Sequence, residues 1–221
     1  MKKSVVFAAA ALALAMGSAQ AAAPEFTAYT PTMTVGNQSF SGALGMDFNV
    51  NSSILVTQVG AFDSGGDGFQ GPVQVGIFNR DTQTLVAGSF AALSGMNETM
   101  EATTNVRFAN VTDFTLAAGH YSIVAVGYSA TEPNGNSYGT GLASTTNTGG
   151  GAISFVGTSR YTGTTSLVFP TTTDNSVARY SAGSFKFQAA PVPEPETYAL
   201  MLAGLGALGF MGRRRKGASK A

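Results

Sequence analysis

Apolar and polar side chains alternate with a two-residue period through much of residues 24–188, and this alternation restricts the possible fold more than any other feature. It is clearest in the segments Met46–Val50, Val73–Ile77 and Met100–Phe108. Glycine, asparagine, aspartate and proline interrupt it at short intervals, and the region shows no helical period. Because successive side chains of a β-strand point to opposite faces, the pattern predicts strands joined by turns. We therefore predict an all-β body at residues 22–188, a β-sandwich with jelly-roll or Greek-key connections.

The composition of the chain is compatible with a packed core and excludes several kinds of chemistry. Its 15 phenylalanines can fill the space between two sheets. The absence of cysteine excludes disulfides, thiolate metal ligands and cysteine nucleophiles. Between the terminal segments the chain carries ten acidic and five basic residues, a net charge of −5. This acidic balance argues against nucleic acid as a partner.

The segment Leu116–Tyr121 resembles the approach to a tyrosine corner, a feature of several unrelated sandwiches. In such a corner the tyrosine hydroxyl bonds to the backbone a few residues upstream and pins a connection between the sheets. An ordinary hairpin with a half-buried tyrosine is the alternative interpretation of the same residues. The position of the Tyr121 hydroxyl distinguishes the two.

The first 21 residues have the three-part layout of a secretory signal peptide. Lys2 and Lys3 form a positive start, residues 5–16 are apolar without interruption, and Ala19 and Ala21 form an Ala-x-Ala cleavage site. A buried helix is the alternative. We predict cleavage after Ala21, with the export machinery and signal peptidase as partners.

The other end of the chain combines a proline-rich linker at residues 189–197, an apolar stretch from Tyr198 to Gly212 and a basic cluster. The basic cluster consists of Arg213, Arg214, Arg215 and Lys216. We predict a single transmembrane helix in residues 198–221, with the basic cluster on the cytoplasmic side. At about 1.5 Å per residue the apolar stretch reaches ~22 Å, which is short against a hydrocarbon core of about 30 Å. Such a helix suits a transient inner-membrane anchor better than a permanent one.

The linker carries Val192, Pro193, Glu194 and Pro195 immediately before the apolar stretch and the basic cluster. This order resembles the PEP-CTERM sorting signal of Gram-negative bacteria over roughly residues 191–216. The resemblance implies cleavage near the Pro-Glu-Pro motif by an exosortase, a transpeptidase-like membrane protease, and association with exopolysaccharide and biofilm. It also implies delivery to the cell surface or the extracellular matrix. A simple anchor helix that is never cut has the same topology and is the alternative.

The chain contains one imidazole, His120, which any Ser-His-Asp triad would have to use. Strand alternation directs His120 away from Tyr121, toward solvent or the opposite face. We therefore predict a surface or turn histidine and no catalytic residue, and we expect the protein not to be an enzyme.

The segment Asp63–Gly68 is the best candidate for a cofactor site. Asp63 and Asp67, on a glycine-rich loop, offer the hard oxygen ligands that Ca²⁺ prefers. Their spacing does not match an EF-hand, and a wide hairpin turn explains the same residues. We expect no cofactor, with calcium at Asp63 and Asp67 as the alternative.

These features predict an exported, non-enzymatic protein of the cell surface or matrix. Its body has either a structural role or a polysaccharide-binding role, with exopolysaccharide as the candidate ligand. A secreted hydrolase of matrix glycans is the alternative, because ten acidic residues in the body permit a catalytic pair of carboxylates. A calcium-dependent lectin-like module is a third function that the residues leave open.

We predict that the mature protein begins near Ala22 and ends between Pro193 and Glu196, because an export signal and a sorting signal flank the body. Intact-mass analysis of the protein recovered from culture fractions measures both ends in one experiment. Recovery mainly of chains that retain Arg213 to Lys216, from cells with an active exosortase, would contradict the sorting prediction.

Overall fold

A computed structural model describes residues 23–101, 103–139, 141–189 and 201–205 of the chain. The predicted signal peptide with Ala19 and Ala21, the Val192–Pro195 motif and the basic cluster lie outside these ranges. Of the predicted membrane helix, residues 201–205 are described, and they form a short helical segment. Over the described ranges, no helix has the length and apolar character needed to cross a bilayer.

The described body consists of β-strands, and the prediction of an all-β body is confirmed. In chain order the strands are β1 (Glu25–Thr27), β2 (Tyr29–Pro31), β3 (Ala43–Val50), β4 (Ile54–Phe62), β5 (Phe69–Asn79), β6 (Thr84–Leu85), β7 (Ala91–Gly95), β8 (Thr99–Glu101), β9 (Val106–Leu116), β10 (Gly119–Val126), β11 (Gly135–Asn136), β12 (Ser144–Thr146), β13 (Ile153–Thr162), β14 (Thr172–Asp174), β15 (Tyr180–Ser181) and β16 (Gly183–Ala189).

The strands form two main antiparallel sheets. A five-stranded sheet has the order β1-β16-β4-β9-β8, and a seven-stranded sheet has the order β14-β13-β3-β10-β5-β6, with β7 also paired to β5. Four pairs are nested along the chain: β1 with β16, β3 with β10, β4 with β9, and β5 with β7. Successive nested pairs alternate between the five-stranded and the seven-stranded sheet, as successive pairs do in a jelly roll.

The two sheets enclose one main hydrophobic core, built from the alternating side chains that the sequence pattern indicated. In β3, the buried members of this core are Leu44, Met46, Phe48 and Val50. Phe48 packs against Phe185 of β16 in the other sheet, with ring centroids 4.8 Å apart. Burial of each side chain of this size contributes roughly 1.5–3 kcal/mol through the hydrophobic effect. The aromatic contact therefore ties one sheet to the other.

A second, smaller core lies on the outer face of the seven-stranded sheet. It consists of Ala43, Phe78, Val124, Val126 and Phe169. Next to it, the buried carboxylate of Asp47 is bound by Arg160 at 2.8 Å and by Arg80 at 3.1 Å. The Arg160 guanidinium carbon lies 4.9 Å from the centroid of the Phe169 ring. Burial raises the pKa of the Asp47 carboxyl, and the positive charges of Arg160 and Arg80 oppose that rise.

Tyr121 forms the predicted tyrosine corner. Its hydroxyl donates a hydrogen bond to the carbonyl oxygen of Ala117 over 3.0 Å. Its ring lies in the main core beside Phe48, with centroids 5.8 Å apart. The bond therefore fixes the short turn at residues 117–118 to the start of β10, and the hairpin alternative is wrong.

The strand registers define two ends of the sandwich. At the first, which we call the terminal end, Glu25 of β1 pairs with Gln188 of β16, and Ala189 pairs with Ile54. At the opposite end, which we call the distal end, Leu44 pairs with Tyr161. At about 3.3 Å per residue, the length of β3 separates the two ends by roughly 25 Å.

We predict that Tyr121→Phe lowers the free energy of unfolding by about 1 kcal/mol, because it removes the hydrogen bond to Ala117. Urea unfolding of the mature protein measures the change. Tyr161→Phe is the matched control, because its hydroxyl makes no hydrogen bond among the described residues and its ring is partly exposed. Equal unfolding midpoints for the Tyr121 variant and the wild type would show that the corner adds no stability.

Candidate functional site

The loop Asp63–Gly68, the predicted alternative calcium site, lies at the distal end and is held by protein groups. Asp63 is fully buried, and its Oδ2 accepts hydrogen bonds from Arg107 Nε and from the Gly68 amide. A second nitrogen of Arg107 donates to the Gly66 carbonyl over 3.2 Å. The Asp63 Oδ1 atom is buried without a hydrogen bond among the described residues. The main partner of Asp63 is therefore an arginine, which closes the loop from the β9 side.

Glu132 holds the other side of this loop. Its two carboxylate oxygens accept hydrogen bonds from the backbone amides of Ser64, at 2.9 Å, and Gln70, at 3.0 Å. Burial raises the pKa of the Glu132 carboxyl, these two amides lower it, and the charges of Asp63 and Asp67 raise it further. Sequence reasoning missed Glu132, because a single acid far along the chain carries no local signal of its partner.

The structure does not bring Asp63 and Asp67 together as a pair of ligands. Asp63 is directed to Arg107, whereas Asp67 is exposed. In the part of the chain that the structure describes, no group of three or more His, Cys, Asp or Glu residues has the arrangement of a metal site. The contacts of the loop are those of a turn braced by two distant residues, Arg107 and Glu132.

His120 projects into solvent, as the strand alternation predicted. Its side chain is 57% exposed, and its Nδ1 lies 3.1 Å from an oxygen of Asp81. Among the described residues, no serine hydroxyl is hydrogen-bonded to the ring. The histidine and its carboxylate are thus an exposed surface pair.

A cleft at the distal end is the candidate functional site, and none of its residues was predicted from the sequence. It has a volume of about 160 Å³. It is lined by Gln38, Phe40, Leu44, Asn136, Tyr161, Asp174, Arg179 and Tyr180. These residues come from the segment before β3 and from β3, β11, β13, β14 and β15, so the cleft exists only once the sandwich has closed.

Three aromatic rings line the cleft. Phe40 and Tyr161 meet edge to face, with centroids 6.2 Å apart and an interplanar angle of 82°. Tyr161 is held by the pairing of β13 with β3 and remains 38% exposed, so part of its ring is open to a ligand. Tyr180 is buried, and burial raises its pKa to about 12, so its hydroxyl stays protonated at neutral pH. The cleft therefore combines apolar ring surface with a neutral hydroxyl.

Side-chain amides form the polar side of the cleft. The Gln38 Oε1 atom accepts hydrogen bonds from the amides of Asn134 and Asn136, each over 2.9 Å. Asn37 exchanges two further bonds with the backbone of Asn136, over 2.7 and 2.9 Å. These bonds join residues about a hundred positions apart and fix the orientation of the Gln38 side chain. Because these bonds engage the Gln38 Oε1 atom, the Gln38 Nε2 group is the part of this amide that can donate to a hydroxyl group.

An ion pair completes the lining. Asp174 of β14 accepts a hydrogen bond from Arg179, and the guanidinium carbon of Arg179 lies 5.9 Å from the centroid of the Tyr180 ring. Small-molecule sites in proteins combine apolar and aromatic walls with a few fixed polar groups, as this cleft does. Its volume is below the roughly 300–1,000 Å³ of sites that enclose a drug-sized ligand. The cleft can therefore take one small ring or one unit of a longer polymer.

Comparison with known proteins identifies one family model. The PEP-CTERM protein-sorting motif matches residues 191–216, the range expected from the sequence. No curated protein matches the chain. The motif implies an exported protein that crosses a membrane and is processed by an exosortase.

We predict that Asp63→Asn lowers the free energy of unfolding by roughly 3 kcal/mol or more, because it leaves Arg107 buried without a counter-charge. Asp67→Asn is the matched control, and it should change stability by about 0.5 kcal/mol or less, because Asp67 is exposed. Calorimetric melts of the mature protein and both variants, with and without millimolar calcium, measure these changes.

We expect calcium to leave the melting temperature of the wild type unchanged. A calcium site filled at a hundred times its dissociation constant would add about 2.7 kcal/mol. Stabilisation of the wild type by calcium, lost in both variants, would contradict this expectation and favour a lectin-like site at the loop.

Proposed function

We propose that this chain is a protein of the Gram-negative cell surface or matrix whose body binds a neutral polysaccharide at the distal cleft without transforming it. The sorting motif supports the export route and the processing step. Exopolysaccharide, the material that surrounds such a surface, is the candidate ligand. The architecture of the cleft is the observation that carries the proposal.

The lining of the cleft suits a sugar ring better than it suits a purely apolar or a purely ionic ligand. A sugar presents C–H groups on its faces and hydroxyl groups around its rim. The partly exposed Tyr161 ring offers an apolar surface, and Gln38, whose Oε1 is held by Asn134 and Asn136, offers the Nε2 donor of its amide. Because the polar groups are fixed before binding, little side-chain entropy is lost when a ligand arrives.

The charges of the body favour a neutral polymer over a polyanion. All five basic residues between the terminal segments belong to ion pairs: Arg80 and Arg160 with Asp47, Arg107 with Asp63, Arg179 with Asp174, and Lys186 with Glu101. Six further acids have no Lys or Arg partner among these pairs, and the body as a whole has a net charge of −5. A surface of this sign repels a polyanion over a Debye length of about 8–10 Å.

The cleft supports binding over hydrolysis. Glycoside hydrolases need two carboxyl groups about 5–10 Å apart on either side of the scissile bond. The described lining of the cleft contributes one, Asp174, and Arg179 engages it. We therefore place the hydrolase alternative below the binding proposal.

We predict that Tyr161→Ala weakens binding of the mature protein to a neutral polysaccharide about tenfold, which corresponds to ~1.4 kcal/mol. The expected cause is the loss of the exposed ring surface. Affinity electrophoresis with a panel of neutral glucans, galactans and mannans, and with a uronate-rich polymer for comparison, measures the change.

Phe90→Ala is the matched control, because Phe90 is also a partly exposed aromatic residue but lies outside the cleft. It should leave the affinity unchanged. Equal loss in both variants, or stronger binding to the uronate-rich polymer than to every neutral one, would contradict the proposal. Release of reducing ends by the wild type would favour the hydrolase instead.

A further inference from the structure

Both ends of the described body leave the sandwich at the same place. Glu25 in β1 is paired with Gln188 in β16, and Ala189 closes β16 opposite Ile54. The segment toward the sorting motif therefore begins at the terminal end, roughly 25 Å from the cleft along β3. The cleft and the last described residue of β16 lie at opposite ends of the body.

The sorting motif cannot move far from this end. Pro193 follows Ala189 by four positions. A fully extended chain spans at most about 3.6 Å per residue, so chain length alone limits Pro193 to within about 14 Å, and Pro195 to within about 22 Å, of the last residue of β16. An enzyme that cuts there must bring its active site within about 22 Å of the terminal end of the folded body.

The charged residues described at the terminal end include Glu25 of β1 and Arg80 and Asp81 of the turn after β5. The three loops that border Ala189 are short and carry no charged side chain. They are residues 51–53, 117–118 and 147–151, and their sequences are Asn-Ser-Ser, Ala-Ala and Asn-Thr-Gly-Gly-Gly. A hydrogen bond of 3.0 Å from the Asn51 amide to the Gly151 carbonyl joins two of them. Gly149 has a φ of +58° and lies so close to Phe187 that a Cβ would stand 2.5 Å from its ring. The loop is thereby pressed onto the core of the sandwich.

We propose that these three loops form the surface that the body presents to the membrane-embedded exosortase during cleavage, with the distal cleft pointing away from the membrane. Small uncharged loops suit this role, because a charged side chain trapped in a close approach would lose its hydration. The long loops of the body, at residues 32–42, 63–68 and 127–134, lie toward the distal end and stay clear of the enzyme. The inference rests on the sorting motif and is independent of glycan binding.

The test inserts a small folded domain, whose own termini lie close together, into the full chain in exporting cells with an active exosortase. One variant carries it between Ser52 and Ser53, at the terminal end. The matched control carries it between Gly163 and Thr164, beyond the distal end of β13. Intact-mass analysis of the exported protein measures the fraction cleaved at the sorting motif.

We expect the terminal insertion to lower the cleaved fraction at least fivefold and the control insertion to leave it within twofold of the wild type. Twelve Gly/Ser residues added between Ala190 and Pro191 should restore cleavage in the terminal variant, because they add about 20 Å of flexible reach. Equal cleavage in the two insertion variants would overturn the proposal. A loss that the longer linker does not restore would also overturn it, since folding or export would then be the cause.

Discussion

The aromatic contact between Phe48 and Phe185 links the two sheets, and the remaining features depend on that link. The ring of Phe48 also stacks on the ring of Tyr121, and the ring centroids of Phe185 and Phe187 lie 5.7 Å apart. One continuous group of rings thus joins β3 and β10 of one sheet to β16 of the other. Because the sheets are held face to face, their loops gather at two opposite ends. One end then holds the cleft, and the other holds both ends of the described body.

The positive charges of the body are all paired with acids within the fold. Each Lys and Arg of the body forms an ion pair with an acid, and two of these acids, Asp47 and Asp63, are buried. Replacing buried ion pairs by apolar side chains is often neutral or stabilising, so such pairs are weak evidence for stability. In this fold the buried pairs hold distant segments in place. Asp47 joins two arginines from distant segments, and Asp63 joins a loop to β9. The outer surface is consequently acidic or uncharged.

Local patterns in the sequence predicted the local features of the fold. The alternation in Met46–Val50 predicted a strand with one buried face, and the residues before Tyr121 predicted the corner that its hydroxyl forms. The family model confirmed the sorting motif at residues 191–216. In each case the signal lies within a few consecutive residues.

Features that depend on the winding of the chain could not be predicted in this way. Asp63 was a candidate metal ligand because its neighbours are glycines and an acid, but Arg107, 44 positions away, is its main partner. The cleft draws on residues from Gln38 to Tyr180, which become neighbours only through the pairing of β3, β13 and β15 with their partners. A single sequence shows which residues alternate but not which strand lies beside which.

The position of β16 has a consequence for the timing of folding. It is the last strand of the body to be synthesised, yet it lies between β1 and β4 in the five-stranded sheet. A chain that crosses a membrane from its N-terminus delivers β1 and β4 long before β16, and among the described strands β1 pairs in that sheet with β16 alone. The sheet is completed only when residues 183–189 emerge, a few positions ahead of the sorting motif. In the order in which the chain emerges, the strand that completes this sheet therefore precedes the sorting motif by only a few residues.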